Sequence, residues 1–266
     1  MKVKVKRVLP VMAVALIWLA ASSSRVEAWA GETHVWIATK AVAYLPRDWR
    51  DLGFNLYPSD LADGATVPDN RGFWDYNSWY HWYHPSQDRG KAPDGVLRWY
   101  NYLLGNLTVR EWKIAVFNAG VMSHYISDVA NPMHTDEKSQ ETDTVHSNYE
   151  GDVNAHLSQM AITVAQLDSP SDVKQYIINI AWTSNQYYDA LVITYASSGW
   201  HLQVAQITQT CLNLAVKAVA SLWMKAIDES GAVIPEYPVG ASWLVCVCLT
   251  ISVTILRKRR ILRKAT

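Results

Sequence analysis

The sequence predicts an all-α protein, a bundle of roughly six to eight helices. Three observations carry that expectation. Apolar residues recur at helical spacing through most of the middle of the 266-residue chain. No alternating apolar and polar run is long enough for a useful strand, and no internal repeat or low-complexity segment interrupts the pattern. Breaks such as Asp168-Ser169-Pro170-Ser171 and Ser197-Ser198-Gly199 then cut the periodic runs into helix-sized pieces.

The elements follow in order. Met1 to Ala28 opens with Lys2, Lys4, Lys6 and Arg7, continues apolar from Val8 to Ala21, and closes on Val26-Glu27-Ala28. Small residues at the minus-three and minus-one places make 1-28 a secretory signal peptide cut after Ala28, so that the mature chain begins at Trp29. Its apolar run of roughly 14 residues is short for a membrane span. Glu32 to Leu45 carries Val35, Ala38, Val42 and Leu45 at helical spacing and stops before Pro46. Residues 46 to 93 are rich in Pro, Gly, Asp, Trp and Tyr and show no sustained period, which reads as a long irregular segment. Asp94 to Leu104 and Arg110 to Ala130 read as helices, and Asn106-Leu107-Thr108 between them is a glycosylation sequon. Thr142 to Leu167, Ser171 to Tyr195 and His201 to Ile227 complete the helical set.

Residues 239-256 contain no charge, long enough for a transmembrane helix, and 257-266 begins with Arg257-Lys258-Arg259-Arg260. The positive-inside rule keeps that basic tail cytoplasmic and the folded part outside the cell. The linker 233-238 contains Pro235-Glu236-Tyr237-Pro238, which resembles the PEF-type C-terminal sorting signals of archaeal surface proteins, where the tail is replaced by lipid. The expected protein is therefore exported, with a globular domain at 29-232 held at the extracellular face of the membrane.

Of the 24 basic residues, 11 lie outside 29 to 256, against one of the 24 acidic residues, leaving 13 basic against 23 acidic within it. That balance argues against a nucleic-acid partner, because a nucleic-acid groove needs a basic face. Cys246 and Cys248 fall within the apolar tail segment, so Cys211 stands alone in the domain and no disulfide can form there. Roughly 210 residues suffice for one ordinary core. A monomer is expected.

The chemistry concentrates in Ser123 to His134. His124 and Asp128 lie four apart in an apolar helical run, so an imidazole and a carboxylate leave the same face one turn apart. Asn131-Pro132 ends the helix and lets His134 turn back. His146 and Glu150 repeat the four-residue spacing on a later helix. A lone H-x-x-x-D is usually structural. Two such pairs with His134 between them, and with His34 and His81 available, point to a site of imidazole and carboxylate ligands, the zinc set expected where cysteine is absent. More than four such ligands require more than one ion.

These residues resemble the zinc-dependent phospholipase C family, whose fold is shared by single-strand-specific fungal nucleases. The resemblance runs from Trp29 to Glu150. It rests on the T-H-x-x-I segment at His34, on Asp69 followed after twelve residues by His81, on H-Y-x-x-D-V-x-x-P-M-H at His124, Asp128 and His134, and on H-S-x-Y-E at His146 and Glu150. It implies three zinc ions (Zn2+). Asp69, His81, His124 and Asp128 would hold one, His134, His146 and Glu150 a second, and Trp29, His34 and Asp128 a third, with the free amine and carbonyl of Trp29 as ligands. It also implies hydrolysis of phospholipids or related phosphate diesters, with Asp69 the candidate catalytic base; Asp63 and Asp75 compete for its place. The short step from Trp29 to His34 is closer to the nuclease branch, while Glu150 and Pro132-Met133-His134 favour the phospholipase branch. A single-strand nuclease and a metal-binding surface protein without turnover are the alternative functions. His84 is expected at the surface or behind the ligands, and His156 and His201 are expected to be structural. Glu32 falls where the family has an acidic residue facing a cationic headgroup. Trp74, Tyr76, Trp79 and Tyr80 are expected as core beneath the long segment rather than as a box for a quaternary ammonium.

Overall fold

Helix α5, Trp112–Ala130, is the axis of the fold, and every residue from Asn118 to Ala130 is buried. A helix apolar all round can only be stable when surrounded, and here its neighbours supply the cover. The computed structural model describes Trp29 and residues 31 to 233. Among them are nine α-helices: α1 Gly31–Val42, α2 Arg47–Leu52, α3 Pro58–Thr66, α4 Ala92–Thr108, α5, α6 Asp143–His156, α7 Val173–Asn185, α8 Tyr188–Ser198 and α9 Leu202–Ser230. Helices α3 and α4 flank α5 most extensively, with α1, α7 and α9 closing around it. The described part up to Ala232 is one compact unit. The expected signal peptide 1-28, most of the expected linker 233-238, the apolar segment 239-256 expected to span a membrane and the tail 257-266 lie outside the described residues.

The α3–α5 seam is a close backbone approach, for a local reason. Gly64 and Gly120 face each other, and a Cβ on either would run into backbone of the opposite helix, Phe117 in one case and Leu61 and Ala65 in the other. Two glycines thus let the main chains approach without side chains between them.

Three expectations are corrected. Residues 46 to 93 are not one irregular segment: they contain α2, α3 and 3-10 turns at Phe54–Leu56, Val67–Asp69 and Ser78–His81. Helices of six and nine residues are too short to display a period, but Pro58 starts α3 at its first turn, and Leu61, Gly64 and Ala65 bury one face against α5. A two-residue ladder, Tyr83–His84 (β1) against Arg89–Gly90 (β2), is the strand structure of the segment.

The helix expected over Thr142 to Leu167 ends at His156. A 3-10 turn, Leu157–Gln159, follows, and the irregular residues beyond it run along α9, whose polar side chains sit four apart and pair with their backbone. Ala161 N–H donates to Gln209 Oε1 at 2.9 Å, Thr163 N–H to Asn213 Oδ1 at 2.9 Å and Asp168 N–H to Ser221 Oγ at 2.9 Å. Lys217 completes the row through an ion pair with Asp168 at 2.6 Å.

The single helix expected over Ser171 to Tyr195 is two, α7 and α8, separated at Gln186 and Tyr187. Asn185 Nδ2 donates to the Thr135 carbonyl at 3.1 Å, tying the break to the loop after α5. These divisions bring the helix count to nine against the six to eight expected. Helix α9 is long and apolar enough to cross a membrane, but 67% of its most apolar stretch is buried inside the fold, which makes it a core helix. Gly231, in the left-handed region at φ 57°, ends it.

Candidate metal centre

Helix α5 presents His124 and Asp128 one turn apart, both with no solvent exposure. Asn131 stops the helix and its Oδ1 accepts from Met133 N–H at 3.2 Å, capping the 3-10 turn Pro132–His134 that swings His134 back toward the cluster. Helix α1 delivers His34 from its first turn. The turn after α3 delivers Asp69, and the turn Ser78–His81, capped by Asn77 Oδ1 accepting from Trp79 N–H at 3.0 Å, delivers His81. Helix α6, capped by Thr142 Oγ1, carries His146 and Glu150.

These eight side chains fall into three groups, the first two sharing His124, with the ligand atoms in each group within 4.8 Å of one another: His34, Asp69 and His124; His81, His124 and Asp128; and His134, His146 and Glu150. His81 Nδ1 lies 3.0 Å and His124 Nε2 3.4 Å from Asp128 Oδ2, while His34 Nε2 lies 3.4 Å from Asp128 Oδ1. Asp69 Oδ1 stands 3.5 Å from His124 Nε2 and 3.7 Å from His81 Nδ1. In the third group Glu150 Oε1 lies 2.9 Å from His146 Nε2 and 3.3 Å from His134 Nε2. Trp29 is buried at 1% exposure. Its nitrogen is peptide-bonded to Ala28 in the full chain, so it could serve as an amine only after cleavage.

Does this set fit zinc? Tetrahedral bonds of about 2.0–2.2 Å put neighbouring ligand atoms about 3.3–3.6 Å apart, close to most of these separations. Both ring nitrogens of His34, His81 Nε2 and Asp128 Oδ1 are buried with no hydrogen-bond partner among the described residues. Buried polar atoms without partners are costly and rare, and two of these, His34 Nε2 and Asp128 Oδ1, stand 3.4 Å apart within the cluster of ligand types, which matches a cation in chemistry and place. Burial, reinforced by the nearby imidazoles of His124, His134 and His81, pushes His34 well below the ordinary histidine value, so it stands as a neutral electron-pair donor. Burial also opposes charge on His124, but Asp69 and Asp128 outweigh it and lift its pKa to about 9. The same contest at His146 is won by Glu150 and Glu141, reaching about 10. Burial raises Asp69, yet His124, His81 and His134 hold it below the usual carboxylate range.

Two residues that the sequence reading did not single out as part of the site touch the cluster. Asn131 Nδ2 donates to Glu150 Oε1 at 3.3 Å, and Glu141 Oε1 lies 2.5 Å from His146 Nδ1. Neither spacing falls on a helical repeat with its partner, so periodicity carried no signal for them.

Other candidates lie elsewhere. Asp75 accepts from Arg98 Nε at 2.9 Å and Asp63 is exposed on α3, so neither occupies the place of Asp69. His84 is not at the surface: it is buried between Trp82 and Arg89, whose guanidinium lies 3.2 Å from Nδ1. His156 stacks on Trp200, and His201 Nδ1 caps α9 by accepting from Gln203 N–H. Glu32 accepts from Asn154 Nδ2 at 2.8 Å. The four aromatics are not core as expected. Trp74 is 68% and Trp79 48% exposed, and Tyr76 and Tyr80 are half-buried, because their segment lies over α4 rather than beneath it.

A family described as zinc dependent phospholipase C matches residues 33–191, more than half of the chain. The chain belongs to that family. This zinc-dependent phospholipase C family member is also similar in fold to solved alpha-toxins. One is the alpha toxin of Clostridium absonum, 15% identical with a TM-score of 0.61, covering 74% of this chain and 63% of the toxin. Another is the alpha-toxin of an avian strain of Clostridium perfringens, 18% identical with a TM-score of 0.59, covering 76% and 64%. The family member thus spans just under two thirds of either toxin, and at these identities the likeness concerns the fold alone. No protein of curated function matches it.

Proposed function

We propose that this family member is a phosphodiester hydrolase of the phospholipase C type, cutting phospholipids or related diesters at the glycerol oxygen. The observation that carries the reading is the convergence of His34, Asp69, His81, His124, Asp128, His134, His146 and Glu150 from separate elements. We assign these eight, with the amine of a processed Trp29, as ligands for three zinc ions. Bound zinc supplies charge neutralisation for the diester and a water acidified toward neutrality.

The chain's own residues do the rest. Asp128, fully buried and within 3.4 Å of three imidazoles, is the shared carboxylate. Asp69 is the carboxylate with an open edge, its side chain 20% exposed, and is placed to orient a water and accept its proton. Burial around His34 and His124 excludes bulk water and strengthens each interaction within. We place the protein outside the cell as a monomer, attached through 239-256 or through lipid at the linker.

The test compares hydrolysis of a phospholipid and of single-stranded DNA by the mature chain in added zinc. Phospholipid turnover supports the proposal, and cleavage of DNA alone transfers it to the nuclease reading. Asp69→Asn is expected to lower turnover by about 10²–10⁴-fold. Unchanged metal content together with undiminished activity in that variant would remove catalysis from Asp69 altogether.

A further inference from the structure

Three histidines of the cluster have their second ring nitrogen fixed, and one is fixed differently. His124 Nδ1 lies 2.8 Å from the Ala65 carbonyl and His134 Nδ1 2.6 Å from the His81 carbonyl, both neutral acceptors. His146 Nδ1 instead meets the Glu141 carboxylate at 2.5 Å. Glu141 precedes α6, and its N–H donates to the Lys138 carbonyl at 2.9 Å, so no helical register forces the contact. Its side chain is only 9% exposed, with the Tyr188 hydroxyl beside it. A buried carboxylate beside Glu150, itself 4% exposed, puts two acidic groups around one imidazole, which is unfavourable unless positive charge is close by. A dication held by His134, His146 and Glu150 would supply that charge.

We propose that Glu141 is a positioning residue for the His134, His146 and Glu150 group. Its carboxylate accepts the Nδ1 proton of His146, which leaves Nε2 as the electron-pair donor facing Glu150 and fixes the ring plane. Its charge makes His146 a stronger ligand, so that this group binds a divalent cation more tightly than it would with a carbonyl acceptor. The inference rests on the metal assignment under the proposed function and adds a residue to it.

The experiment uses the mature chain beginning at Trp29 and its Glu141→Ala, Glu141→Gln and His146→Ala variants. Zinc content, zinc affinity by competition with a chromophoric chelator, and the visible absorption of the cobalt-loaded proteins are measured. Glu141→Ala should weaken one metal equivalent by about 10- to 100-fold and leave the others unchanged. Glu141→Gln, which keeps an acceptor oxygen without the charge, should weaken the same equivalent less and shift the cobalt spectrum. His146→Ala should lose that equivalent outright. Retention of every equivalent by His146→Ala overturns the metal assignment itself. Loss there with parental affinity in both Glu141 variants overturns the role of Glu141 alone. If circular dichroism shows Glu141→Ala unfolded, Glu141→Gln decides, and an equal loss at all sites in it counts against the proposal.

Discussion

Replacing Gly120 by alanine tests the packing that sets the site. Alanine improves helix propensity in α5 by up to about 1 kcal/mol. Against that, the new methyl would overlap the Leu61 carbonyl, the Ala65 nitrogen and the Gly64 carbonyl carbon. All three are backbone atoms of α3, with no flexible side-chain end to swing aside, so the overpacking cost belongs near the upper end of the usual 1–3 kcal/mol range. The net expectation is about 2 kcal/mol of destabilisation, roughly 4–8 °C in Tm for a domain of this size. Gly151→Ala is the control, because a Cβ there meets nothing within 4 Å and α6 should gain about 0.5–1 kcal/mol. The seam also reaches the candidate ligand cluster, since the Ala65 carbonyl holds His124 Nδ1. Denaturant unfolding and zinc affinity, measured together, should both fall in Gly120→Ala and neither in Gly151→Ala. A Gly120→Ala protein as stable as its parent would refute the claim that α3 and α5 touch backbone to backbone.

Three further outcomes are expected. Asp128→Asn keeps the shape but removes the charge shared by three imidazoles, so zinc affinity should drop beyond the roughly 10- to 100-fold that loss of an outer partner costs; elemental analysis retaining full zinc would contradict the sharing. His124 and His146 have folded pKa values of about 9 and about 10, above the unfolded value near 6.5. Their ion pairs therefore stabilise the metal-free fold fully below about 6.5, and that contribution is lost as pH rises through about 9 to 10. Because zinc binds neutral imidazole, loading at pH 7 should release protons and affinity should rise with pH over the same range; calorimetry in buffers of different ionisation enthalpy reads the release, and none would contradict it. Leaving one extra residue before Trp29 should cost one zinc equivalent and most activity, whereas equal zinc content with and without that residue would exclude the amine as a ligand.

Local pattern alone was enough to expect helices, the ligand types and the two pairs spaced by four, since a helical turn fixes which side chains share a face whatever surrounds it. His124 with Asp128 and His146 with Glu150 are such pairs. Asn131-Pro132 likewise marked the end of α5, because a missing donor acts within a few residues. Short helices escaped notice, since α2 and α3 are no longer than the window in which a period can be counted.

What sequence by itself determined, then, was an inventory of donors and the faces that bear them. Only the tertiary structure decided that Asp69, rather than Asp63 or Asp75, meets His124 and His81, that irregular residues after Gln159 pair with the polar row of α9, and that Glu141 reaches His146. The reason is range. Helical spacing records forces acting within one turn, whereas each of these contacts depends on which backbones can approach, and that is set by the glycine seam and by hydrogen bonds between segments distant in the chain.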